Sequence, residues 1–225
     1  MYPELNANQP QRELGADVSS RGLSAFPYAA FLRGINVGGR KPIKMDAWRE
    51  AFEAMGFQKV KTLLASGNVL FDSNATKAEP TAEKIEERLR NTFGHEIGVL
   101  VRPVAELQKL VAMNPFKKVK LTPETRLYVT FLSEKPTPGQ EAKLKTAGKD
   151  FKFLRVSDRE VCSGITISPQ RHTTDLMAQL EKELGRKVTT RNWNTVVRVL
   201  DAVASGSAIS QRGIKPEHRK MANQS

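Results

Sequence analysis

The chain has 225 residues, 39% hydrophobic and 27% charged, with a net charge of +12, which suits one large globular domain or two small ones. No apolar run approaches the ~18 residues of a membrane span, residues 1–27 lack a signal-peptide core, and a single cysteine, Cys162, excludes an internal disulfide or a cysteine-built metal site. The expectation is a cytoplasmic protein without membrane contact, metal or cofactor.

Residues 1–25 are polar and aperiodic and read as a flexible extension. Residues 28–33 form an apolar run that reads as a short buried strand, stopped at Arg33-Gly34. A helix over 46–55 aligns Trp48, Phe52 and Met55, with Gly56 placed to end it. Strands over 60–65 and 69–71 are joined through Ser66-Gly67-Asn68, a tight-turn signal. A helix over 81–93 aligns Ile85, Leu89 and Phe93 behind a Thr81 cap. A strand over 97–101 completes the order β-α-β-β-α-β, the split βαβ unit of ferredoxin-like folds.

A connecting helix over 103–113 stops at Asn114-Pro115, and the order recurs. Strands are expected over 127–132, 151–156, 161–167 and 187–190. Helices are expected over 139–147 and 173–184, and a further helix over 192–203 turns Val196, Val199, Leu200 and Val203 inward. The fold class is α+β, with two tandem ferredoxin-like subdomains, 26–113 and 114–203, and an added C-terminal helix. Residues 204–225 read as a flexible basic tail. The halves share a pattern of elements rather than convincing residue identity. Helices cover one face of each sheet, so the second unit is the natural cover for the other face.

Three loop segments stand out. In RGINVGG, at 33–39, a strand ends in Arg33 and then Gly34, Gly38 and Gly39. Clustered backbone N–H groups favour anions, and glycine permits close approach. Arg33 suits a phosphate or carboxylate, or else a structural salt bridge to an acid such as Asp72. In this segment Asn36, and in the SGN turn Ser66 and Asn68, offer ligand hydrogen bonds or serve turn geometry. In TTRNWNT, at 189–195, Arg191 and Asn192 stand at a helix start, where free N–H groups favour anions, and Trp193 could stack on a base. Alternatively Asn192 caps the helix, Trp193 staples it to the core, and Asn194 bonds backbone. The sequence leaves open whether the three segments meet. His95, His172 and His218 lack metal-ligand spacing. Cys162 reads as a small buried hydrophobe, and the lysines at 117, 118 and 120 as a solvated loop.

These segments, LRGINVGG at 32–39, SGN at 66–68 and TTRNWNT at 189–195, recur in order in a bacterial family, domain of unknown function 1697, which the chain resembles over roughly 28–203. The family often has Tyr-Ile ahead of SGN, where this chain has Leu63-Leu64-Ala65, so no tyrosine role carries over. The resemblance implies two ferredoxin-like subdomains and motifs that belong together. It implies no established reaction.

Three functions compete. The first is a binding module for a phosphorylated small molecule or nucleic acid, resting on the charge, the Arg-Gly loop and Trp193. The second makes the motifs structural, at the subdomain interface. The third is an acylphosphatase-like hydrolase with Arg33 as clamp and Asn68 orienting water, by fold analogy alone. Neither a reaction nor an oligomeric state can be read from these residues.

Overall fold

The computed structural model describes residues 27–35, 42–64, 66–73, 82–146, 151–170 and 172–212, with side chains as far as Ser205. In chain order the elements are β1 (Tyr28–Arg33), α1 (Met45–Glu53), β2 (Gln58–Leu63), β3 (Asn68–Asp72), α2 (Ala82–Phe93), β4 (Gly98–Pro103) and α3 (Val104–Met113). They continue with β5 (Thr125–Leu132), α4 (Pro138–Thr146), β6 (Phe151–Val156), β7 (Glu160–Thr166), α5 (Thr173–Leu184), β8 (Val188–Asn192) and α6 (Trp193–Arg212). The class is α+β: two four-stranded sheets, ordered β2-β3-β1-β4 and β6-β7-β5-β8, with every pairing antiparallel.

The apolar run of β1 is explained by burial on both faces. Ala29 and Phe31 face a core shared with Val129, Phe131 and Cys162 of the second sheet and with Leu107, Val196 and Val199 of α3 and α6. Ala30 and Leu32 face Trp48, Phe52, Ile85 and Leu89 of α1 and α2. In the second sheet Tyr128 and Leu132 face Leu144, Leu176 and Leu180 of α4 and α5. Each sheet therefore has helices on one face and meets the other sheet, with α3 and α6, on the opposite face. At Phe31 and Phe131 the sheets touch directly, the rings stacked with centroids 4.3 Å apart and planes inclined by 13°.

Two differences from the sequence reading matter for the site. The final strand runs to Asn192 rather than Thr190, so Arg191 is a strand residue paired with Val129, not a helix-start residue. The anion-binding property of helix N-termini does not extend to it. The last helix starts at Trp193 and continues past the expected end at Val203 to Arg212. Residues 1–26 and 213–225 lie outside the described residues, as do Asn36, Gly38 and Gly39.

Candidate functional site

The described parts of the three segments meet, and Arg191 joins them. Its side chain crosses from β8 to the first sheet, with Cζ 5.6 Å from the centroid of the Phe31 ring. Nε donates to Asn68 Oδ1 at 2.8 Å. Nη2 donates to the carbonyls of Leu32 at 2.6 Å, Ser66 at 3.0 Å and Gly67 at 3.2 Å. Nη1 donates to Thr189 Oγ1 at 2.9 Å and Thr190 O at 3.0 Å. A guanidinium has five N–H groups, and all of them face acceptors of the chain. Arg191 is only 7% exposed, and burial pushes its pKa down to about 10, which leaves it charged at neutral pH.

Asn68 is 2% exposed and equally committed. Its amide donates to Leu63 O at 2.9 Å and Ser66 Oγ at 3.1 Å, and its oxygen accepts from Arg191. The hydrolase reading needed Asn68 to orient water, and this side chain is already spent on the turn. Gly67 explains why the turn needs glycine. Its φ is +72°, and a Cβ there would stand 2.4 Å from Ile35 Cδ1 and 2.9 Å from Leu32 Cβ. Its carbonyl also accepts the Leu32 N–H at 2.8 Å.

A second buried arginine repeats this arrangement in the opposite direction. Arg102 lies in β4 opposite Ala29, as Arg191 lies in β8 opposite Val129. Arg102 Nη2 donates to Leu132 O and to Arg159 O at 3.0 Å. Its Cζ lies 5.6 Å from the Phe131 ring. Leu132 N–H donates to Arg159 O at 2.9 Å, the counterpart of the Leu32–Gly67 bond. Each sheet thus sends one arginine into the strand end and hairpin turn of the other. The sequence carries an echo of this: Tyr28, Phe31 and Leu32 recur at the same spacing as Tyr128, Phe131 and Leu132, and Val99 and Arg102 as Val188 and Arg191. The halves therefore share residue identities that a comparison of whole elements passes over.

The two arginines differ in one respect. Asn68, which serves Arg191 Nε, pairs with Phe31. The residue paired with Phe131 is Glu160, and Arg102 Nε has no hydrogen-bond partner. Burial, then the charge of Arg159, lowers the Arg102 pKa to about 10, while Glu106 and Glu160 act against the shift.

Above Arg191 opens a cleft of about 390 Å³, lined among others by Arg33, Gly34, Ser66, Glu181, Thr189 and Thr190. Arg33 ends β1, and Gly34 turns the chain with φ +75°. Arg33 does not pair with Asp72, which takes Lys59 at 3.4 Å. Its Nη2 instead meets Glu181 Oε1 of α5 at 2.7 Å, with side chains 33% and 43% exposed. Glu181 was not singled out from sequence, because it reads as one more charge on the solvated face of an amphipathic helix.

The rest of TTRNWNT is structural in geometry. Asn192 Oδ1 accepts the Asn194 N–H at 2.9 Å, capping α6. Trp193 packs edge-on against Phe116 with centroids 4.9 Å apart, a half-buried ring laid against the core. Cys162 is buried, and burial, with the charge of Glu160, pushes its thiol up to about 12. Among the described residues no group of three His, Cys, Asp or Glu is placed to hold a metal ion, and no helix is long and apolar enough to cross a membrane.

The model of the family "Protein of unknown function (DUF1697)" matches residues 26–161, and the chain belongs to that family. The matched span includes LRGINVGG and SGN and ends before TTRNWNT. No curated protein matches the chain. Among solved structures, a conserved bacterial protein from Streptococcus pneumoniae is 20% identical, with a TM-score of 0.52, over 81% of this chain and 98% of that one. That likeness concerns the fold alone. An unknown protein from Galdieria sulphuraria is 12% identical over 74% of this chain and 96% of that one, with a TM-score of 0.22, too weak to bear on the fold.

Proposed function

We propose that this DUF1697 member is a binding module, built from two ferredoxin-like units, for a phosphate-bearing small molecule in the Arg33 cleft. One observation carries the reading: the described parts of three segments far apart in sequence line one cleft, at whose wall stands a partly exposed guanidinium. An anion there would take the Arg33 fork, and the net charge of +12 favours the approach of anions. The small-molecule form is favoured over nucleic acid by the aromatic residues. Trp193 is packed against Phe116, and among the described residues the exposed large apolar side chains are Met45, Met113, Leu121 and Leu154, none of them a stacking platform for bases.

A second role is favoured by Arg191 and Asn68. Their polar groups are turned to the chain itself, so these parts of the motifs hold the two units together. The ligand role then falls to Arg33 and Gly34. Titration calorimetry of wild type and Arg33→Ala with inorganic phosphate and a nucleotide panel tests the reading. A charge-assisted hydrogen bond is worth roughly 1.5–3 kcal/mol, so affinity should fall about tenfold or more. Equal affinities in the two proteins would overturn the assignment.

A further inference from the structure

Arg33 and Glu181 face each other across the cleft from different units, one at the end of β1 and one on α5, and both remain partly exposed. The other charged residue lining the cleft, Arg191, has every N–H turned to the chain. The cleft therefore offers one available cation and one available anion side by side. A simple phosphate on Arg33 would displace the Glu181 carboxylate and then lie beside it, like charge against like. A ligand with a phosphate and a cationic group would give each side chain a new partner, its ammonium cancelling part of the charge of about −1.5 to −2 that the phosphate brings. Leu32, Ile35, Met177 and Leu180 suit a short alkyl link between the two groups.

We infer that Glu181 is a specificity-determining residue and that the cleft takes a small zwitterion, its phosphate on Arg33 and its ammonium on Glu181. This rests on the phosphate-binding reading above. The probes are inorganic phosphate and phosphoethanolamine, titrated calorimetrically into the full chain, wild type and Glu181→Gln. Glu181 lies on a helix surface, and an unchanged melting curve verifies that the variant is folded. Wild type should prefer phosphoethanolamine by roughly twofold to fivefold, the range expected of a partly exposed ion pair. Glu181→Gln should erase that preference and bind inorganic phosphate more tightly than wild type. A preference that survives in Glu181→Gln, or its absence in wild type, overturns the inference. If inorganic phosphate still binds in an Arg33-dependent way, the phosphate reading stands without it. If neither probe binds wild type or variant, both readings fall.

Discussion

Replacing Arg191 with methionine removes every guanidinium donor while keeping a long side chain in place. The carbonyls of Leu32, Ser66 and Gly67 and the Asn68 amide oxygen each lose a donor, and Phe31 loses the cation above its ring. Hydrogen bonds to a charged donor are worth about 1.5–3 kcal/mol each. They do not sum here, because burying the cation costs several kcal/mol that the substitution returns. Replacing all members of a buried ionic group by apolar residues is often neutral, but here the acceptors are backbone and cannot be removed. The neutral acceptors are left without their donor at about 1–3 kcal/mol for each one unsatisfied, which, less the returned cost of burying the cation, comes to about 3–5 kcal/mol. Arg33→Ala, which breaks a partly exposed pair, should cost less than about 1 kcal/mol. Urea unfolding of both variants separates them. In thermal melts the Arg191→Met loss corresponds to roughly 6–20 °C, at about 2–4 °C per kcal/mol for a chain of this size. A loss at Arg191 within about 1 kcal/mol of wild type would refute the role assigned to it as a tie between the units.

Gly67→Ala places a methyl group against Ile35 and Leu32 at a positive φ and should destabilise by about 1–3 kcal/mol, measured by the same urea titration. Gly56→Ala, where nothing lies within 4 Å, carries only the backbone penalty and serves as the comparison. Cys162, buried and with its thiol pushed up to about 12, should resist a thiol reagent at pH 8 in the native protein and react on unfolding. Rapid native labelling would show that β7 opens more readily than its buried position implies.

Much of the fold was legible because its signals are local. The run from Tyr28 to Leu32 is apolar at every position, as a strand covered on both faces requires. Glycine-ended helices gave α1 and α5. Arg191 was misplaced for a physical reason: TTRN is polar throughout, so it shows neither strand alternation nor an apolar face. What buries it is a set of carbonyls supplied by a distant turn, and a carbonyl acceptor leaves no mark on sequence. The Tyr-x-x-Phe-Leu echo was readable, but a few shared residues in short strands are outweighed by unrelated neighbours. Only the stacked rings and matched registers reveal why those positions agree. The meeting of Arg33 with Glu181 lies beyond any sequence signal, since charges on an amphipathic helix face are ordinary.

The near-symmetry of the two sheets separates what the scaffold needs from what it does not. Both units need the stacked phenylalanines, the leucine bonded to the hairpin turn and the reciprocal arginine, and both have them. The residue after the leucine differs. In the second it is Ser133, whose N–H and hydroxyl both donate to Lys187 O, at 3.3 and 2.9 Å, beside a cleft of its own of about 330 Å³. In the first unit it is Arg33, which reaches across an open cleft to a carboxylate of the other unit. A purely structural role would be met by a serine bonded to backbone at both ends. The departure from symmetry at Arg33, beside the cleft, is what the scaffold alone leaves unexplained, and it is the reason to look for a ligand there.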